Sequence, residues 1–358
     1  MALNSATLVE RIAEWSASLA LDGIPENVTH VAKRCIVDTL GVTLAARSAS
    51  LTGRVFEYAS GAYGPGEATA LGFPNRLSPV GAALLNATAG HALDFDDTSY
   101  TGIMHGSVVA MPAALAATEM AGGNGRRFVE AFIAGSEVTY AMAMLCGTGH
   151  YFMGWWSTAT FGVFGAAAAA ARGLDLSLAE TASALALAGV QAGGMKASFG
   201  TDAKPYLAGR AAAMGVESAL LAQRGLSAPP AVIEDDRGFL SLLNEGNSAP
   251  REIEKLGQVW RLVNPGIFIK QYPVCSAAHA AVELTERLLG DHNVGSDAVE
   301  KVVCEVPPVV AISLVHDRPE TPQEAQFSLP FCVGAMLARG ELGIDSLSPE
   351  TLADRRLG

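Results

Sequence analysis

Three aspartates in four positions, Asp94, Asp96 and Asp97, are followed at once by Thr98 and flanked by His91 and His105. No Lys or Arg occurs between Arg76 and Arg126. Burying a charged group without a partner costs several kcal/mol. The three carboxylates must therefore be solvated, bind a cation, share protons, or meet Lys, Arg or His from elsewhere in the chain. The last arrangement is how an acid–base site is built. A solvated acidic loop is the plain alternative.

The DFDDT string resembles the DxDxT pattern of aspartyl-phosphate phosphatases. There the first Asp ends a buried strand, whereas here the preceding AALLNATAGHAL is Ala-rich and helical. A calcium loop fails too, because no Gly stands at its sixth position and no Glu at its twelfth. A divalent ion at the aspartates stays open, but the expectation is that protein cations and backbone donors satisfy them and that no divalent ion is required.

Cations are scarce elsewhere as well. From Phe128 to Met195 the one Lys or Arg is Arg172, and then Lys196 and Lys204 arrive close together. Lys204 precedes Pro205 at a predicted helix start, where the helix dipole favours an anion and lowers an amine pKa. So placed, it can bind a carboxylate or act as a base. An ordinary surface lysine is the alternative. A further group runs from Lys270 through Cys275 to His279 at a helix entry. Cys275 has no activating base nearby in the sequence and reads as packing. A lone histidine on an apolar helix reads as a satisfied structural residue.

The elements that must position these groups are helices. Residues 1–245 show apolar residues at helical spacing, for example Leu8, Ile12, Trp15 and Leu19. Helices are predicted over 26–46, 78–93, 108–121, 124–145, 158–172, 176–192 and 205–224. The helix over 78–93 delivers the aspartates at its C-terminal end. Rows of small residues, such as Gly209, Ala212 and Ser218, allow close backbone packing in a helical core. The polar break at 244–248 marks a domain boundary, giving an all-helical domain over 1–245 and an α+β domain over 246–358. In the second domain, 299–306 alternates like a strand, and helices are predicted over 276–289 and 324–339. Ser348-Pro349-Glu350 is a good helix start close to the end of the chain, which suggests a shortened form of a longer protein.

Bulk properties narrow the function classes. The 358 residues suffice for two domains. Half of them are hydrophobic, 17% are charged, and mean hydropathy is positive. That points to large buried areas, including a homodimer interface. No apolar run reaches the roughly 18–20 residues of a membrane span. The N-terminal stretch lacks a signal-peptide apolar region, so the cytoplasm is expected. Five scattered cysteines without a CxxC pair fit a reducing compartment. The net charge of −12 argues against nucleic acid or an anionic membrane as partner. A small anionic carboxylate remains possible where cations gather locally.

GHALDFDDT, HGS, KPYLAGRAAAMG and KQYPVCSAAH, in that order, resemble the MmgE/PrpD family. That family includes 2-methylcitrate dehydratase, cis-aconitate decarboxylase and iminodisuccinate epimerase. The resemblance runs from about residue 8 to about residue 340. It implies a large all-helical domain, a smaller α+β domain, a cofactor-free active site between them, and a homodimer. Asp94, Thr98, His105, Lys204, Lys270 and His279 fall on positions lining the family's site. Trp156 stands where a family histidine is often found, Phe331 where a tyrosine is frequent, and Gln326 where a basic residue is frequent. Asp94, His105 and Lys204 are then the catalytic candidates, and Thr98, Trp156, Lys270 and His279 the substrate-binding ones. Two missing proton-transfer groups weaken an elimination, which needs an acid for the leaving hydroxyl. An epimerase needs two groups exchanging a proton at one carbon. The expectation is therefore a cofactor-independent epimerase of the iminodisuccinate kind. A 2-methylcitrate dehydratase or cis-aconitate decarboxylase-like lyase is the alternative, and an inactive carboxylate-binding scaffold the third.

Overall fold

The computed structural model describes residues 6–354 apart from residue 294, and the side chains of residues 296 and 349 are also outside the description. The chain is mainly α-helical and divides into two compact units. One comprises residues 1–92, 96–197 and 205–269; the other comprises 93–95, 198–204 and 270–358. The division thus falls after Ile269 rather than after residue 245, and two short excursions join the second unit.

The first unit holds α1 (Leu8–Ser18), α2 (Glu26–Ala45), α3 (Ser50–Tyr63), α4 (Pro79–Ala92), α5 (Ser107–Met120) and α6 (Gly125–Cys146). The single turn α7 (Gly149–Phe152) leads to α8 (Ser157–Gly173), α9 (Leu178–Gly189) and α10 (Ala203–Ala222). The first two residues of α10 belong to the second unit. The short α11 (Phe239–Leu243) and α12 (Arg251–Glu254) follow. Local chemistry starts several of these helices. Thr7 caps α1 and Ser177 caps α9, each in a reciprocal box with a Glu three residues on. Asn124 caps α6 by accepting the Arg127 N–H.

The core of this unit is built from close backbones rather than large side chains. Residues Ala166 to Ala171 are all buried. α8 packs most extensively on α6. At that crossing a Cβ on Gly165 would lie 1.7 Å from Thr139 Oγ1 and 2.5 Å from the Gly135 carbonyl oxygen. Gly209 of α10 meets Thr88 and Leu84 of α4 equally closely, and Gly215 meets Ala166. Among the described residues, α6 alone is both long and apolar enough to cross a membrane. The sequence reading missed it, because Glu130 and Glu137 interrupt its apolar run. In the fold 83% of that stretch is buried, so its apolar surface is used in packing within the protein.

The second unit holds α13 (Ser276–His292), α14 (Pro308–Ala311), α15 (Pro322–Ala325), α16 (Leu329–Arg339) and α17 (Pro349–Leu352). Val274, Ala278, Val282, Cys332, Ala335 and Met336 form its apolar centre, where α13 packs on α16. Two expectations need correction here. The stretch 299–306 is not a strand: residues 300–306 are exposed and no described segment pairs with them. Alternation suits a half-buried strand, but a strand needs a partner ladder to be stable. The predicted helix over 324–339 is broken between α15 and α16. Ser328 caps the second piece through the Phe331 N–H, and Pro330 occupies its first turn.

Candidate active site

Each unit carries a cluster of the ionisable groups that the sequence singles out. In the second unit, Asp94 follows directly on Leu93, past the end of α4, with φ +46°. That left-handed conformation is tolerated by Asp better than by most side chains, and it turns the chain sharply. Lys204, in the first turn of α10, places Nζ 2.6 Å from Asp94 Oδ1. Lys270 places Nζ 2.9 Å from Oδ2 and 2.5 Å from the Asp94 carbonyl oxygen. All three residues are buried. One carboxylate against two ammonium groups gives the trio a formal charge of +1. Lys204 Nζ also lies 4.9 Å from the ring centre of Phe327 and 5.4 Å from that of Phe199. The aromatic faces favour the cation.

His279 belongs to the same unit, on α13. Its Nε2 lies 3.3 Å from the Val274 carbonyl oxygen and its ring stands edge-on to Tyr272. Burial, and then the Lys270 ammonium, push its pKa down to about 4, so at neutral pH the ring is uncharged. Cys275 is half-buried within reach of the Asp94 and Lys270 charges, and desolvation holds its thiol above the usual range. This fits the reading of Cys275 as packing.

In the first unit, Asp96 is buried between two histidines. His91 Nδ1 lies 2.8 and 3.0 Å from its two oxygens, and His105 Nδ1 lies 3.2 Å from Oδ2. Burial raises the Asp96 pKa, but the two imidazoles outweigh it and hold the group well below the carboxylate range. His105 is further fixed at its Nδ1 by the Asp97 carbonyl oxygen and at its backbone N–H by Thr158 Oγ1. Thr98 is buried, donates its hydroxyl to the Met104 carbonyl and pairs with Phe268 through the backbone. Trp156, almost fully buried, sets its indole 5.3 Å from the His91 ring. Lys196, which arrives beside Lys204 in the sequence, goes elsewhere in this unit, over the ring of Tyr151. The nearby His150 is bonded at both ring nitrogens, to Leu243 and Thr160, and is structural.

The sequence expectation that cations or backbone donors satisfy all three aspartates needs correction at Asp97. Both its oxygens are buried and, among the described residues, neither has a partner at hydrogen-bonding geometry. Burial pushes its pKa up to about 7, with Asp38 and Asp96 adding to the rise and Ser107 and Cys35 opposing it. Buried Glu137 is likewise raised to about 7 by burial, against the backbone N–H groups of Leu262 and Arg261. Both groups bind a proton more tightly folded than unfolded. The stability they contribute is complete below about pH 4 and is lost as pH rises through 7. Asp97→Asn mimics the protonated form, so it should lose less thermal stability between pH 5 and pH 8 than wild type does. Melting curves at those two values check this, and parallel losses in the two proteins would refute it.

His91, Asp96 and His105 offer ligand atoms within 4.8 Å of one another, a spacing that an ion could bridge. Both imidazole Nδ1 atoms are, however, engaged with acceptor oxygens. Sequence reasoning placed Asp94, His105 and Lys204 among the reacting groups. It missed the pairing of His91 with Asp96, whose signal was a histidine in the last turn of a helix five residues before an acid. It also missed the aromatic cradle of Phe199 and Phe327, which has no local signature.

Comparison with known proteins adds an independent line. The family model of the MmgE/PrpD N-terminal domain matches residues 10–252, and that of the MmgE/PrpD C-terminal domain matches residues 272–358. A cis-aconitate decarboxylase of Mus musculus is 28% identical over 359 residues, covering 97% of this chain and 72% of its own length. One from Aspergillus terreus is 28% identical over 300 residues, with 79% of this chain and 60% of its own length covered. One from Homo sapiens is 27% identical, with 95% and 72% covered.

Proposed function

The chain belongs to the MmgE/PrpD family, and from that premise we propose that it is a cofactor-independent lyase acting next to a carboxylate of a small di- or tricarboxylate. The observation that carries this reading is the buried trio of Asp94, Lys204 and Lys270, with two ammonium groups on one carboxylate. Such a trio favours an anionic ligand, and the helix start at Lys204 adds to the attraction. Loss of carbon dioxide from a substrate leaves an electron pair on carbon, which then takes up one proton. The developing negative charge needs fixed positive charge nearby, and the proton needs a carrier. In this reading Lys204 and Lys270 hold substrate carboxylates and Asp94 sets the lysines; a histidine carries the proton, and His105 is the candidate for that role by its motif. The relatives' activity, decarboxylation of cis-aconitate, supports the lyase reading over the epimerase one.

Incubation with a panel of cis-aconitate, 2-methylcitrate and iminodisuccinate in deuterated water tests the reading. Release of carbon dioxide or water from one of them is expected. Hydrogen exchange at a carbon next to a carboxylate without net loss would shift the assignment to an epimerase. No turnover and no exchange across the panel would leave a binding scaffold.

Trp156 supplies a second expectation. A buried indole beside His91 replaces a ring that could donate a proton. Trp156→His should therefore raise any water-eliminating side activity several-fold relative to the main reaction. An unchanged product ratio in the folded variant would count against this role.

A further inference from the structure

Asp96 has two imidazoles on one carboxylate, and the protons in that arrangement can be placed by elimination. His105 Nδ1 is 2.9 Å from the Asp97 carbonyl oxygen and 3.2 Å from Asp96 Oδ2. His91 Nδ1 is 2.8 Å from Asp96 Oδ1. A carbonyl oxygen accepts only, and an ionised carboxylate accepts only. Both Nδ1 atoms must therefore carry hydrogen. A neutral His105 then has its lone pair on Nε2. In the other tautomer, the Nδ1 lone pair would face two oxygens at contact distance.

We propose that Asp96 is a positioning residue, which with His91 behind it and the Asp97 carbonyl beside it holds His105 in the Nδ1–H tautomer and so fixes Nε2 as the nitrogen that takes up and returns the proton. The proposal rests on the lyase reading above, but its structural half can be tested without any substrate. His91 has a definite part. Asp96 and the His91 side chain are both fully buried, and the His105 contact to the carboxylate is the longest of the three. Without His91 the carboxylate would be left, among the described residues, with one shared side-chain donor, and a buried carboxylate so poorly served tends to protonate or turn away. The His91 ring is itself in contact with the His105 ring at 4.7 Å and with the Trp156 ring at 5.3 Å. An orienting acceptor that lies behind an imidazole and does not itself react is a recurrent device for setting which nitrogen is basic.

The test uses the full chain labelled with nitrogen-15 at histidine. Ring-nitrogen spectra of the wild-type protein should show Nδ1–H for both His91 and His105. Asp96→Asn should let the Nε2–H tautomer of His105 appear as a minor share, because an amide can donate to Nδ1 while the Asp97 carbonyl still favours Nδ1–H. The same variant should lower kcat about a hundredfold, within the usual range for proton-transfer groups, with KM within a few-fold of wild type. Nε2–H at His105 in the wild-type protein overturns the proposal whether or not any substrate is turned over. So does a folded Asp96→Asn variant with unchanged tautomer and unchanged kcat. Ring signals that change on dialysis against a chelator and return with a divalent ion also overturn it, because the cluster would then be a metal site. If the wild-type tautomer is as stated but none of the panel substrates reacts, the lyase reading fails and the positioning by Asp96 stands.

Discussion

Lys204→Ala should lower kcat/KM by about two to three decades, corresponding to about 3–4 kcal/mol of transition-state stabilisation, as for loss of one preorganised electrostatic donor. Asp94→Asn should cost a similar amount in rate, because the lysines then lose the group that sets them. The two variants should differ in stability. Lys204→Ala leaves Asp94 still bonded twice to Lys270. Asp94→Asn leaves two buried ammonium groups without their shared carboxylate, and breaking a buried pair in this way costs about 3–5 kcal/mol. Asp94→Asn should therefore be the less stable of the two by urea denaturation. The double variant should be little slower than either single one, because residues that act as a unit are not additive. Two folded single variants with near-normal turnover on a substrate that the wild type accepts would require another site.

The largest effect on stability is expected at the crossing of α6 and α8. A methyl group at Gly165 would fall on Thr139 Oγ1, and that hydroxyl is bonded to the Gly135 carbonyl oxygen at 2.8 Å. Thr139 is β-branched and has few alternative rotamers on a helix. Relief must then come from moving two helices apart along a core of alanines. Overpacking of this kind costs about 1–3 kcal/mol and sometimes more. We expect Gly165→Ala at or above the top of that range, and Gly165→Val to prevent folding. Gly53 of α3 is the control, since nothing lies within 4 Å of a Cβ there. Gly53→Ala should stabilise by about 0.5–1 kcal/mol, because it removes chain entropy and meets no obstacle. Urea midpoints that shift equally in the two Ala variants would contradict this account of the core.

The helical part of the fold was legible because its apolar residues recur at a spacing that only a helix brings to one face. α1, α2, α4, α6 and α13 start within a residue or so of where that spacing and their caps place them. α3 was not legible: its inward Thr52, Val55 and Ala59 are diluted by Gly53 and Gly61. The strand reading of 299–306 failed because alternation describes one chain, while a ladder requires two. In the site, the proximity of Asp94 and Lys204 could be inferred from charge, since the aspartates lie in a cation-free stretch and Lys204 emerges from a cation-poor one. Lys270 could be placed only through its motif. Asp97 could not be separated from its neighbours in the sequence, because its protonation depends on the depth of burial and on Asp38 from another helix.

The second unit is threaded by three stretches of chain, 93–95, 198–204 and 270–358, and each brings one member of the ionised trio: Asp94, Lys204 and Lys270. A segment exchanged between relatives as a cassette from residue 270 onward would carry an ammonium group and leave its carboxylate behind in the recipient. Recombination at that joint thus keeps the charge balance only if the recipient already has the acid and the other lysine in register. The two halves of such a gene are bound to evolve together, even where their folds could drift apart.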